Sequence, residues 1–228
     1  MGALRRVWLL AAVPLSACLA DGGGFGLRDQ SSRNAVQAIP LYGGDVVVRG
    51  PRGYCVDGDS VRRQNGNQLV LLASCESLTG QRGTAVEPAL FVVNVKPTRA
   101  GIVPPKALGI AASMAPQKTL QAIDGDGLAL VRLQAPSNPA LPGSDPRYWR
   151  AGMVINNHFV SLAVYGKLGS PVAGKLGKTL ILDLAESLRA ASPVKRYIPA
   201  PPANTGPTEA DAPAAVTRSA PLGAKVAF

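Results

Sequence analysis

The sequence predicts an α+β fold, an antiparallel β-sheet carrying a docked C-terminal helix and a short middle helix. Three observations point there. Tyr148–Ile155 and His158–Tyr165 read as two strands around Asn156-Asn157, because asparagine tolerates the positive φ that a two-residue hairpin turn needs. Val172, Leu176, Leu180, Leu184 and Leu188 recur every four residues, which lays a continuous apolar stripe along a helix of about five turns. The runs Gln68–Cys75 and Ala89–Val95 are apolar enough for central strands. A β-sandwich with a helix is the alternative arrangement of the same elements.

Taken in order, the chain opens with MGALRRVWLLAAVPLSAC. Arg5 and Arg6 form a positive patch and Val7–Leu15 a nine-residue apolar core, too short for a spanning helix of about 20 residues. Residues 1–17 therefore read as a secretory signal peptide. Residues 18–40 read as a flexible linker, because Leu19–Ile39 carries a glycine run and no sustained apolar face; a weak helix over Ser32–Gln37 is allowed. A single domain is expected over residues 41–192. Asp45–Arg49 is its first strand, Gly50–Gly53 a turn, and Tyr54–Val56 a second strand. Asp57–Asn67 reads as a polar stretch leading to the strand Gln68–Cys75. Ala89–Val95 is ended by Pro97, and Pro104–Met114 reads as a short helix with proline tolerated in its first turn. Lys118–Ile123 and Leu128–Leu133 flank Asp124-Gly125-Asp126-Gly127 as a β-hairpin, and Pro136–Pro146 is a loop. Ser170 as N-cap and Pro171 as first residue open the long helix, and Arg189 near its end suits the helix dipole. Residues 193–228 combine proline, alanine and small polar residues without periodicity, which predicts a disordered, mildly basic tail.

Hydrophobic residues make up 46% of the chain, charged ones 17% and aromatics 5%, a globular mixture. The formal charge is +10, and loss of Arg5 and Arg6 with the signal lowers it by two. The positive charges are scattered and lack interleaved aromatics, so nucleic acid is not an expected partner. An anionic envelope polymer or lipid surface is the partner such a charge favours in an exported protein.

Leu15-Ser16-Ala17-Cys18 resembles the lipobox of bacterial lipoproteins. That resemblance implies cleavage before Cys18 and acylation of its sulfur and new amino group, hence a membrane partner through the lipid anchor. Leu19, with no aspartate at that position, implies sorting to the outer rather than the inner membrane. The alternative is ordinary cleavage after Ala20, which yields a soluble periplasmic protein. Lipidation of Cys18 leaves Cys55 and Cys75, 20 positions apart. In an oxidising compartment these two are expected to form a disulfide contributing roughly 3 kcal/mol; two buried free thiols are the alternative.

Motifs with chemical meaning are sparse. Gly169-Ser170-Pro171-Val172-Ala173-Gly174-Lys175 has the spacing of a phosphate-binding loop between strand and helix. Leu176 stands where a magnesium-binding hydroxyl belongs, and the overlapping Gly177-Lys178-Thr179 carries Val172 where the first glycine belongs, so both are read as a helix start. His158 is the single histidine, expected at an exposed or edge position of its turn, and no serine, cysteine or metalloprotease signature accompanies it. Asp57 with Asp59 and Asp124 with Asp126 read as turn residues, not as calcium ligands or paired catalytic carboxylates. Two cysteines and one histidine fall short of a structural zinc site. Neither a catalytic residue nor a cofactor or metal ligand is assigned.

The element order, with YWRAGMVINNHFVSLAVYG followed by SPVAGKLGKTLILDLAESL, resembles PsbP-like domains. A segment from Gly50 to Gly80, GPRGYCVD…LLASCESLTG, is also similar to one in bacterial envelope proteins. The likeness spans about Asp45–Ala190. It implies an antiparallel sheet between helical layers, an α/β/α sandwich, and a non-catalytic accessory or assembly role. None of that family's metal-binding residues matches a position here. The expectation is a non-catalytic envelope lipoprotein, an accessory or binding subunit of an envelope assembly, with a periplasmic enzyme as the competing class.

Overall fold

The computed structural model describes residues 34–136 and 141–195. The signal peptide, Cys18, most of the linker and nearly all of the tail lie outside the described residues. Ten strands and three α-helices follow in chain order: β1 (Ala35–Val36), β2 (Ala38–Leu41), β3 (Val46–Arg49), β4 (Tyr54–Gln64), β5 (Asn67–Ser74), α1 (Cys75–Thr79), β6 (Ala89–Pro97), α2 (Ala107–Ser113), β7 (Lys118–Gly125), β8 (Leu128–Gln134), β9 (Arg147–Ile155), β10 (His158–Gly166) and α3 (Lys175–Ala191). Eight strands form one antiparallel sheet in the order β1-β4-β5-β6-β10-β9-β8-β7, while β2 and β3 make a separate two-stranded ribbon. The fold is α+β.

Asn156 and Asn157 both adopt positive φ, 47° and 61°, the primed turn that matches strand twist. The Asn156 side chain donates to the carbonyls of Asp45 (2.8 Å) and Pro193 (2.7 Å), tying this turn to the start of β3 and to the chain beyond α3. At the sheet centre β10 pairs with β6, from His158 opposite Pro97 to Gly166 opposite Ala89.

Strand alternation divides the sheet into two faces. On the first, Val56, Val70, Leu72, Phe91, Val93, Trp149, Met153, Val160, Leu162 and Val164 meet Ile181, Leu184 and Leu188 of α3 and Val46 and Val48 of β3 in one core. On the second, α2 covers Ala129, Val131, Leu133 and Tyr148 at one side. Leu78 of α1 packs with Cys55 and Ala73 at the other.

Four sequence expectations are corrected. The long helix does not run unbroken from Ser170: Pro171–Ala173 is a 3-10 turn capped by Ser170, whose Oγ accepts from the Val172 amide at 3.2 Å, and α3 starts after Gly174. The Gly174 carbonyl accepts from both the Trp149 indole N–H at 2.8 Å and the Lys178 amide at 3.4 Å, the latter the first bond of the helix. Asp57–Asn67 is not a polar connection but the greater part of β4, slipped in register between Asp57 and Arg62 and turned at Asn65-Gly66. The exposed end of a hairpin places no apolar demand on Arg62, Arg63 or Gln64. The linker ends earlier than residue 40, and no helix occupies the described end of Ser32–Gln37: Ala35 and Val36 pair with Asp57 and Val56, because Val36 and Ile39 gain burial against the main core. Cys75 begins α1 rather than ending β5, with Ser74 as N-cap accepting from the Ser77 amide.

At Gly177 the backbone of α3 lies in close contact with its surroundings. A Cβ there would lie 1.9 Å from the Val172 carbonyl oxygen and 2.8 Å from Trp149 Cδ1. Gly177→Ala is therefore expected to destabilise the domain by at least about 2 kcal/mol, read as a lowered denaturant midpoint, whereas Gly83→Ala, with nothing within 4 Å of its Cβ, is expected to leave the midpoint unchanged.

Candidate binding surface

The two sheet faces are unequally covered. Along β6 the burial alternates strictly from Phe91 to Val95: Phe91, Val93 and Val95 are fully buried in the main core, whereas Leu90, Val92 and Asn94 are only half-buried. The same holds beside it. Leu69 and Leu71 of β5 and Phe159 and Ser161 of β10 are half-buried on the second face, and their sequence neighbours Val70, Leu72, Val160 and Leu162 are fully buried on the first. α1 packs at the β4–β5 side of the second face, and the cluster under α2 extends from β8 and β9 onto the buried Ala163 and Tyr165 of β10, with Val92 at its edge. What remains among the described residues is a half-buried trough floored by β5, β6 and the Phe159–Ser161 end of β10.

Arg150 of β9 stands at the α2 side of this trough. Register places Val131, Arg150, Ala163, Val92 and Leu71 in one row across the sheet and Ala129, Gly152, Ser161, Asn94 and Leu69 in the next. The half-buried Arg150 guanidinium reaches Ser161 Oγ at 3.3 Å and Met114 Sδ at 3.0 Å. Pro105, Ile110 and Phe159 close around Gly152, where a Cβ would fall 2.9–3.3 Å from their side chains, so this rim is packed. Lys96 Nζ lies 5.4 Å from the Phe159 ring centroid, a cation over an aromatic face.

Tyr148 and Tyr165 stack with centroids 4.8 Å apart on the same face, and the Tyr148 hydroxyl donates to Gln117 Oε1. Burial pushes both phenols up, and for Tyr165 the neighbouring Tyr148 adds to the rise. The positive charge of Arg150 pulls both back down, which places that charge within electrostatic reach of both hydroxyls. The surface thus joins apolar area, a half-buried cation and neutral hydrogen-bonding groups.

The residues singled out in the sequence are dispersed and are not brought together here. Cys18 lies outside the described residues. Cys55 and Cys75 are joined as a disulfide with Cα atoms 4.8 Å apart, as expected. It fastens α1 to β4. His158 is buried, not exposed: its Nδ1 is 2.8 Å from the Asn156 carbonyl and its ring packs on Tyr42 at 4.4 Å. Asp57 Oδ1 accepts from the Asp59 amide at 3.1 Å. Asp124 Oδ1 accepts from the Ala107 amide at 2.8 Å, capping α2 from the neighbouring hairpin, while the Asp126 carbonyl accepts from Arg189 at 2.7 Å. Among the described residues no group of three His, Cys, Asp or Glu is placed to hold a metal ion.

The Gly169–Lys175 loop already contains an anion of its own. Asp145 Oδ2 accepts from the Gly169 amide at 3.0 Å while both its oxygens are held by Arg147 at 2.9 and 3.0 Å, and Ser170 Oγ donates to Glu87 Oε1 at 2.7 Å. A carboxylate stands where a bound phosphate would need the loop amide.

Arg150 and its surroundings escaped the sequence reading. One signal was present, since Gln68–Cys75 and Ala89–Val95 are apolar on both strand parities while the chain offers one long amphipathic helix to cover them.

The chain matches no family model and no curated protein. Among solved structures it is similar to the Saccharomyces cerevisiae Ran-binding protein Mog1p, at 13% identity over 70% of this chain and 95% of that one, with a TM-score of 0.39. That likeness is too distant to carry fold or function across.

Two predictions belong to these side chains. The Arg147 guanidinium foremost, helped by the Arg147 and Gly169 amides and opposed by burial, lowers the Asp145 carboxyl from 3.8 to about 2. A depressed carboxyl contributes stability that is present above the unfolded value and lost as pH falls through the folded one. Stability should therefore fall between pH 3.8 and about 2, and Asp145→Asn should flatten that dependence while costing roughly 1–3 kcal/mol at neutral pH, both read from urea midpoints against pH. The Cys55→Ser/Cys75→Ser double variant should lose roughly 3 kcal/mol in the same assay, and should no longer respond to reductant.

Proposed function

We propose that this protein is an exported, lipid-tethered, non-catalytic binding module of the bacterial cell envelope, an accessory subunit of PsbP-like type whose open sheet face receives a partner protein. Support for export comes from the sequence at Met1–Cys18, with its lipobox-like Leu15-Ser16-Ala17-Cys18. The Cys55–Cys75 disulfide fits an oxidising compartment.

The observation that carries the binding role is the half-buried apolar strip of Leu69, Leu71, Leu90, Val92 and Phe159. Strand interiors that are apolar on both faces gain most by being covered on both, and a contiguous apolar strip with polar margins is the ordinary form of an interaction site. Such a strip favours a protein over a charged envelope polymer. The charged groups near it, Lys96 and Arg150, are too few to bind a polymer by charge alone.

The test has two parts. Intact mass of the protein purified from bacterial membranes is expected to show residues 18–228 plus acyl chains; an unlipidated chain starting at Asp21 would remove the tether. Val92→Ser is expected to cost less than about 1 kcal/mol and to reduce Nile red fluorescence of the folded protein, whereas Val93→Ser, one residue along, should cost about 3 kcal/mol. Equal stability costs, with dye binding unchanged by Val92→Ser, would show that the strip is ordinary core and overturn the docking role.

A further inference from the structure

The geometry points to Arg150 as the receptor for a carboxylate carried by an extended protein segment lying in the trough; this rests on the docking face proposed above. Arg150 is half-buried, and its hydrogen bonds within the described residues go to the Met114 thioether and to two hydroxyls, Ser161 Oγ and the Tyr148 phenol. None of these supplies negative charge. Arg147 pairs with Asp145 and Arg189 with Glu186. The carboxylates whose strands share this face are engaged elsewhere: Asp124 caps α2, Asp57 holds the Asp59 amide, and Asp59 itself holds the Asn34 amide. By strand spacing Asp124 is two strands from the row of Gly152, about 10 Å, and Asp57 is four strands from Arg150, about 19 Å.

A guanidinium removed from much of its water without a counter-charge gains more from an incoming carboxylate than a fully solvated one does. Its planar fork suits two parallel bonds to the two carboxylate oxygens. Ser161 beside it, and Asn94 opposite Ser161, offer an O–H and an amide N–H to oxygens approaching from the trough.

The apolar neighbours say what carries the carboxylate. Leu71 and Leu69, like Val92 and Leu90, are separated by two positions along their strands, about 6.7 Å, which is also the repeat of same-side residues in an extended chain. An acidic residue with apolar side chains two positions to either side would set its carboxylate at Arg150 and its flanks on Val92, Leu71 and Phe159. Lys96, over Phe159, adds positive charge at one end, so the partner segment is acidic as well as apolar.

The experiment uses the full-length chain with methyl and arginine side-chain NMR signals assigned, titrated with acetylated, amidated Leu-Thr-Asp-Thr-Leu and with its Asn counterpart. The aspartyl peptide is expected to move the Arg150 Nε–H signal and the Leu71 and Val92 methyls, with the asparaginyl peptide about tenfold weaker. Arg150→Gln should remove that tenfold preference. The comparison of the two peptides on the unaltered chain needs no variant to fold. If both peptides move the Leu71 and Val92 methyls with equal affinity, the carboxylate site is overturned and the docking face stands. If neither peptide moves them, both fall. A change in the free Arg150 signal on Glu209→Gln/Asp211→Asn substitution would identify the chain's own tail as the occupant and overturn the partner assignment.

Discussion

Where Gly177 meets the Val172 carbonyl and the Trp149 ring, α3 approaches the sheet as closely as a backbone without a side chain permits. That contact sets the seating of the helix, and the helix in turn decides which strand parity becomes the core. Trp149 contributes twice, by its ring beneath the helix and by its indole N–H on the Gly174 carbonyl, which also takes the long first helical bond from Lys178. With α3 so placed, Ile181, Leu184 and Leu188 fill one face of the sheet, and the opposite face is left to a seven-residue α2 and a five-residue α1.

Those two short helices cannot do for the second face what α3 does for the first. A helix rises 1.5 Å per residue, so α2 is about 10 Å long, while the eight strands extend over about seven spacings of 4.7–4.9 Å. α2 and α1 shelter opposite margins and leave Leu69 and Leu71 of β5, Leu90, Val92 and Asn94 of β6, and Phe159 and Ser161 of β10 between them half-buried. The trough is thus a consequence of how much helix the chain supplies, and Arg150 lies on its margin because β9 runs beneath the edge of α2.

The loop between β10 and α3 shows how one motif can serve architecture. Its spacing of glycines and lysine suits a phosphate, yet Asp145 supplies an internal anion to the Gly169 amide and is itself neutralised by Arg147. Ser170 divides its hydroxyl between Glu87 and the Val172 amide. Asp145, Arg147 and Ser170 are thus partnered from within the domain, and what results is a fixed connection between the sheet and α3.

Local regularity was legible in the residues. The Asn156-Asn157 hairpin, the apolar stripe from Val172 to Leu188, the strands expected at Ala89–Val95 and Lys118–Ile123, each two residues short of the observed end, and the pairing of Cys55 with Cys75 follow from periods, turn chemistry and cysteine number. The polar run of β4 was not legible, because its strand conformation comes from hydrogen bonding to β5 and its composition from exposure. His158 was misplaced for a related reason: a position next to a turn is exposed unless another element covers it, and here Tyr42 does. The sequence by itself determined the α+β class and the residues able to form a core. Tertiary structure alone decided which of two apolar strand faces α3 covers, and therefore that Leu71, Val92 and Arg150 share an open surface, because that choice depends on contacts between segments far apart in the chain and not on any local pattern.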